Sequence, residues 1–483
     1  MVKNRYLLIL FVLSTSFFIY QHSVNLSWDF AAYVSNAEYW LGNSNYYEPY
    51  RPPLMPLALG ILSFFGWTAA EYLFILLCSA LFLYSSTKLA ESLKINPILF
   101  YLFSLSPFAL FHGLINGTEL LSLSLLELFI ILLLKNKNYS GLFLGLAALT
   151  RYNFLIFLPL ILLSRDIRGV CKNMLSFILP FIPWGIYNFY AYGNFLASFA
   201  DIYAIGFKFR EYLPNALNWL NFLNVISFLL PLFIIGLFRR KNFTDDKKVT
   251  LIMGIILFLT IYQFYTTPYK VVRYLFPLVL PVAYFSVQGA GLIRKKSKKV
   301  FIFILASLII LNVIYLTIAS AHTINTSKEE YMDSIAILKE KGISECRVLS
   351  NGWVILNYLG KTSEVYPRKE LIQKTIDEGN FIILFRSIED PAWTKNKALI
   401  ASFSKIYESD RFFILGKLEN CNQELKVDKL YVEETKEEVE MIYNYTINTN
   451  PCFTIFENKE LLEKTCNFIN YGKFKVDENR NNG

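Results

Sequence analysis

Asp29 is the first residue of the chain placed to do proton chemistry. It follows an apolar stretch, Tyr6 to Tyr20, and heads an amphipathic one, Ser27-Trp28-Asp29-Phe30-Ala31-Ala32-Tyr33. A carboxylate pinned among aromatics at that boundary is expected to be partly desolvated, which raises its pKa toward that of a working general base. The alternative is that Asp29 only caps the helix that follows. Six bases of the apolar part face the same side in the topology derived below: Arg51, Arg151, Lys208, Arg210, Lys270 and Arg273. Positive-inside bias depletes bases there. Those that remain fit an anionic ligand near the membrane surface, such as a lipid phosphate, or ordinary contacts with lipid headgroups. The acids on that side are Asp29, Glu38, Glu48, Glu71, Glu119, Asp201 and Glu211. Glu119 opens an apolar run, where a negative charge also suits a helix N-terminus.

The elements that must position these groups are membrane spans. Of 483 residues 54% are hydrophobic and only 18% charged, and the charges are uneven. Residues 1–320 hold 12 acids and 25 bases, whereas residues 321–483 hold 26 acids and 22 bases. This shift puts a domain boundary near Ala321, with a membrane domain over 1–320 and a soluble α/β domain over 321–483. The bases of the first part sit in short clusters between apolar runs, which is how topology is written and argues against nucleic-acid binding.

A span needs about 20 apolar residues. Candidates are 6–20, 69–90, 97–113, 118–134, 174–191, 219–238, 249–264, 274–293 and 300–320. The stretch 140–164 reads as one helix or as two broken around Thr150-Arg151-Tyr152. Two passes place Lys88, Lys94, Lys135, Lys137, Arg165, Arg168, Lys172, Arg239-Arg240-Lys241, Lys247, Lys248 and the run from Arg294 to Lys299 on the side of the N-terminus. The reading is therefore about eleven spans, a cytoplasmic N-terminus, a long first outer loop over 21–68 and an extracytoplasmic tail.

In the tail, Ser327 to Lys341 has helical periodicity, Arg347–Leu349 and Phe381–Phe385 read as short buried strands, and Arg368–Glu378 reads as a helix between them. Cys346, Cys421, Cys452 and Cys466 allow one or two disulfides of undetermined pairing. Three histidines and no Cys-x-x-Cys spacing give no His- or Cys-based metal site.

Five features in order resemble the GT-C membrane glycosyltransferases, in particular the protein O-mannosyltransferase and aminoarabinose-transferase branch. They are Asp29 with Tyr50-Arg51-Pro52-Pro53-Leu54, Asn116-Gly117-Thr118-Glu119, the Gly141-to-Tyr152 stretch ending in Thr150-Arg151, Pro183-Trp184 with Asn188 and Gly193-Asn194, and Arg273-Tyr274 with Pro277 and Pro281. The resemblance covers residues 1–290. It implies a first outer loop with two surface helices and transfer of a sugar from a polyprenyl-phosphate donor to a protein, glycan or lipid acceptor. It further implies Asp29 as the catalytic carboxylate and Glu119 as a second one facing the same cavity. Arg273 and Lys270 would hold the donor phosphate, while Arg51 and Arg151 would charge the cavity mouth. A single acid stands at Asp29 where relatives often carry an Asp-Glu pair, which argues against a shared-proton or metal role there, although a divalent metal stays open as a cofactor. The Trp-Trp-Asp-Tyr-Gly motif of oligosaccharyltransferases is absent, which argues against en bloc transfer to asparagine.

Two other classes compete. A lipid or lipid-linked-sugar flippase would place charge near the midplane and commonly carries internal repeats, and neither is seen. A scaffold with a sensing ectodomain leaves the charged first loop unexplained. A transferase needs Asp29 and Arg273 to converge on one cavity.

Overall fold

The structure, a computed structural model, describes residues 2–44, 46–192, 195–199, 202, 219–238, 247–267, 271–323, 328–367, 371–388, 397–419 and 421–422. Lys270, Lys208, Arg210, Cys452 and Cys466 lie outside the described residues. Long runs of Leu, Ile and Phe, with few charges, make five helices long and apolar enough to cross a bilayer: Arg5–Val24, Trp67–Ser92, Lys247–Thr266, Val272–Lys296 and Lys298–Ile318. The pair Ile167–Ile178 and Phe181–Ala191, bent by 40°, makes a sixth if it is one span.

The other expected spans are helical but short, so helix length does not reach eleven. Residues 97–113 divide into Pro97–Ser104 and Pro107–His112. Asn96 and Ser106 cap these pieces, each followed by a proline at the first helical position, so the sequence itself writes a stop and a restart. Residues 140–164 break where Arg151 is extended, between Ser140–Thr150 and the 3-10 helix Tyr152–Leu163. Many large apolar side chains face outward, including Leu13, Phe303 and Ile310, and only 6% of the Lys298–Ile318 window is covered by protein. Such a surface calls for lipid.

The first loop folds into two helices, α2 (Trp28–Trp40) and α3 (Leu54–Leu62), between α1 (Val2–Val24) and α4 (Trp67–Ser92). Helix α2 is apolar on two faces. Phe30, Tyr33, Val34 and Ala37, at i, i+3, i+4 and i+7, join the core of the helix bundle. Ala31 and Ala32, with Leu26 and Tyr46, join a second core that belongs to the C-terminal sheet.

That sheet has the order β2-β1-β3-β5-β4, with β1 Val348–Ser350, β2 Glu364–Val365, β3 Phe381–Phe385, β4 Lys405–Glu408 and β5 Phe412–Leu415. Strand β1 runs parallel to β2 and β3, and β5 runs antiparallel to β3 and β4. The parallel crossovers carry helices Trp353–Tyr358 and Ile372–Asp377. Central β3 alternates its residues between two cores, Phe381, Ile383 and Phe385 on one face and Ile382 and Leu384 on the other. Helix Lys328–Glu340 and strand β3 lie where periodicity places them. The helix expected over 368–378 is shorter, Ile372–Asp377, with 368–370 outside the described residues. Cys346 and Cys421 form a disulfide.

Arg151 is positioned by close helix packing. Helix Ser140–Thr150 lies against Ile167–Ile178 because Gly141 and Gly145 carry no side chain there. A Cβ on Gly141 would sit 1.9 Å from the Asn173 carbonyl oxygen, and one on Gly145 2.4 Å from that of Phe177. Backbone cannot step aside as a side-chain tip can, so Gly145→Ala should cost roughly 1–3 kcal/mol. The same change at Gly254, inside helix Lys247–Thr266 with open space around it, should be neutral to mildly stabilising. Melting temperatures of the two variants in detergent would check this, and equal values would refute the packing argument.

Candidate functional site

Four separate parts of the chain bring charge to one place. Asp29 sits in the first turn of α2, with Ser27 at the N-cap position. Ser27 makes no capping bond; its hydroxyl donates to Asn116 Oδ1 at 2.5 Å. Nor does Asp29 serve as a cap. Its Oδ1 accepts from Arg51 Nη1 at 2.5 Å, and its Oδ2 accepts from Arg273 Nη1, 244 residues away. Arg51 also donates through Nε to Glu48 Oε2 at 2.5 Å, and its guanidinium stacks over Tyr33 and Tyr50 at 5.3 and 5.2 Å.

Glu119 arrives through a tight turn. Gly117 has φ +86°, and a Cβ there would lie 2.2 Å from Met55 Cε and strain the backbone besides. Fully buried, Glu119 accepts from Arg151 Nη1, which also donates to Thr118 Oγ1 at 3.1 Å. Arg273 Nε is 4.0 Å from Glu119 Oε1 and lacks a hydrogen-bond partner. Arg151 lies 5.9 Å from the Tyr274 ring centroid. Asp29, Glu119, Arg51, Arg151 and Arg273 thus meet in one cluster of ion pairs. Lys270 is outside the described residues.

The expected raising of the Asp29 pKa is corrected here. Burial does push it up, but the charges of Arg273 and Arg51 and the hydrogen bonds from both outweigh burial and hold the carboxyl well below the usual range. The sequence places the carboxylate but hides its partners. Arg51 pairs with Asp29 and Glu48, and Arg151 with Glu119. Among the described residues, no group of three or more His, Cys, Asp or Glu could hold a metal ion. Asp29 and Glu119 already spend oxygens on guanidiniums.

Sequence reading missed Glu48 as a member of the site. The available signal is its spacing, three residues before Arg51, which a turn converts into an ion pair. Tyr39 and Trp40 are packed with Tyr47, Trp184 and Tyr187. A second polar group joins α4 and α1 to the C-terminal region: Tyr358 donates to Glu71 of α4 at 2.9 Å, and Glu71 lies 2.8 Å from Nε2 of His22 in α1.

Solved structures share this fold. ArnT from Cupriavidus metallidurans bound to undecaprenyl phosphate matches with a TM-score of 0.52 at 10% identity, over 86% of this chain and 97% of that one. The same protein in the apo state matches with a TM-score of 0.56 at 12% identity, over 86% and 98%. No family model matches the chain, and no curated protein matches it in sequence. The architecture is similar to that of these ArnT structures, which is the fold the sequence resemblance implies.

Glu38, at the far end of α2, offers a pH test of this joint. Burial and the neighbouring charge of Glu71 push its carboxyl up to about 7. With a folded pKa above the unfolded one, the protonated carboxyl favours the fold at low pH, and that contribution is lost as pH rises toward 7. Glu38→Gln should therefore raise the melting temperature at pH 8 and leave it nearly unchanged at pH 4. An equal shift at both pH values would contradict the burial of that carboxyl.

Proposed function

We propose that the protein is an inverting glycosyltransferase that moves a monosaccharide from a polyprenyl-phosphate donor to a protein, glycan or lipid acceptor at the outer membrane face. The observation that carries this reading is the convergence of Asp29, Glu119 and three arginines in one cluster, on a fold shared with an ArnT structure bound to undecaprenyl phosphate.

The cluster suggests how donor binding and base activation are linked. At rest Asp29 is held by two guanidiniums and is a poor base. A donor phosphate is a better partner for Arg273, whose side chain is more exposed than that of Arg51 and has an unpartnered Nε. As Arg273 turns to the phosphate, Asp29 loses one of the charges that depress its pKa. The acceptor's hydroxyl or amine then attacks the anomeric carbon and passes its proton to Asp29. The bond from that carbon to phosphate oxygen breaks, and polyprenyl phosphate leaves with the electron pair, its charge met by Arg273, Lys270 and Arg151. Glu119 holds Arg151 in place. A single displacement inverts the anomeric centre.

Topology is part of the proposal. The eleven spans, cytoplasmic N-terminus and extracytoplasmic C-terminal domain from residue 321 draw support from charge placement, the break at Arg151 and the Cys346–Cys421 disulfide, which suits an oxidising compartment.

The test is transfer of radiolabelled sugar from a panel of polyprenyl-phosphate monosaccharides by purified protein. Asp29→Asn should lower kcat by about 10²–10⁴-fold, while Arg273→Ala should chiefly raise the donor KM. Full activity of Asp29→Asn would remove it as the base. A wild-type protein that binds polyprenyl phosphate but transfers nothing would point instead to lipid transport.

A further inference from the structure

The two arginines on Asp29 are held differently, and the difference leads away from the site into the C-terminal sheet region. Arg273 is 22% exposed, and it faces the carboxylates Asp29 and Glu119. Arg51 is 11% exposed and is fixed from behind by Glu48. Glu48 is 1% exposed and bonded on every side. Its backbone N–H donates to Asn36 Oδ1 at 2.8 Å, and its carbonyl accepts from Asn36 Nδ2 at 2.9 Å, which staples the loop to α2. Its Oε2 takes Arg51, and its Oε1 takes the hydroxyl of Tyr46 at 2.5 Å.

Tyr46 in turn accepts from the indole Nε1 of Trp353 at 3.1 Å. Trp353 belongs to helix Trp353–Tyr358, and Trp28, next to Asp29, meets it edge-on at 4.5 Å between ring centroids. An unbroken hydrogen-bonded path therefore runs Trp353, Tyr46, Glu48, Arg51, Asp29.

We infer that Glu48 is a positioning residue for Asp29, acting through Arg51, and that Tyr46 and Trp353 anchor it to the C-terminal sheet region. This rests on the reading of Asp29 as the base. Arg51 stays on Oδ1 while Arg273 is handed to the donor phosphate, so Oδ2 is the oxygen left aimed and free to take the acceptor's proton. The C-terminal region then has a share in catalysis without touching substrate.

A positioning role separates from a binding one in kinetics. Glu48→Gln keeps the shape of the side chain and removes its charge, and Tyr46→Phe and Trp353→Phe each delete one donor. All three should lower kcat, Glu48→Gln by about tenfold or more, with the donor KM within about twofold of wild type. Arg273→Ala should do the reverse. Because the residues act in series, adding Trp353→Phe to Glu48→Gln should cost little more than Glu48→Gln alone. Unchanged melting temperature and polyprenyl-phosphate binding would show that the variants are folded.

Unaltered kcat in Glu48→Gln, a raised donor KM at constant kcat, or fully additive losses would each overturn the inference while leaving the transferase reading intact. Absence of transfer by the wild type would remove both. If Glu48→Gln fails to fold, Trp353→Phe decides by the same split, and a normal kcat there overturns the anchorage.

Discussion

A carboxylate buried between two arginines constrains everything around it. Taking charges out of water is costly, and the pairing recovers that cost only if all partners arrive together in good geometry. Asp29, Arg51 and Arg273 come from α2, the turn before α3 and the 3-10 helix Val272–Leu278. None of these elements can drift without stranding a charge. The features that looked like separate motifs along the chain are parts of one electrostatic object, closed at its other end by Glu119 and Arg151.

Helix α2 is where that object is mounted. Its bundle-facing residues fix it to the spanning helices, and its alanines let the sheet region come close on the other side. Small residues on that second face matter as much as large ones on the first, because Trp28 and Trp353 can meet only if the backbones approach. A surface helix would have left Asp29 in water. Gripped from both sides, it is buried beside its partners.

Much of this was legible in the sequence, for physical reasons. Apolar runs give the helices because hydropathy is local, and Asp29, Glu119, Arg151 and Arg273 stand out because charge is rare among apolar residues. The breaks at Ser106-Pro107 and Arg151 shorten helices that hydropathy alone draws as full spans. The sign of the Asp29 pKa shift was not legible, since it depends on which cation lies opposite, and Arg273 is 244 residues away. Glu48 and Trp353 were missed because their roles are hydrogen bonds across the fold, with no periodicity to show them. Strand β4, with no fully buried residue, carries no apolar run to mark it.

The Cys346–Cys421 disulfide, 75 residues apart in sequence, brackets all five strands. The sheet therefore lies within a covalent ring. Tension applied to the chain beyond residue 421 would pass through the sulfur bridge to residue 346 and on to the helices, without being carried by strand pairing. Trp353, which holds Tyr46 of the first loop, and Tyr358, which holds Glu71 of α4, sit inside this shielded segment. The hold on the Asp29 loop is thereby insulated from mechanical load on the C-terminus.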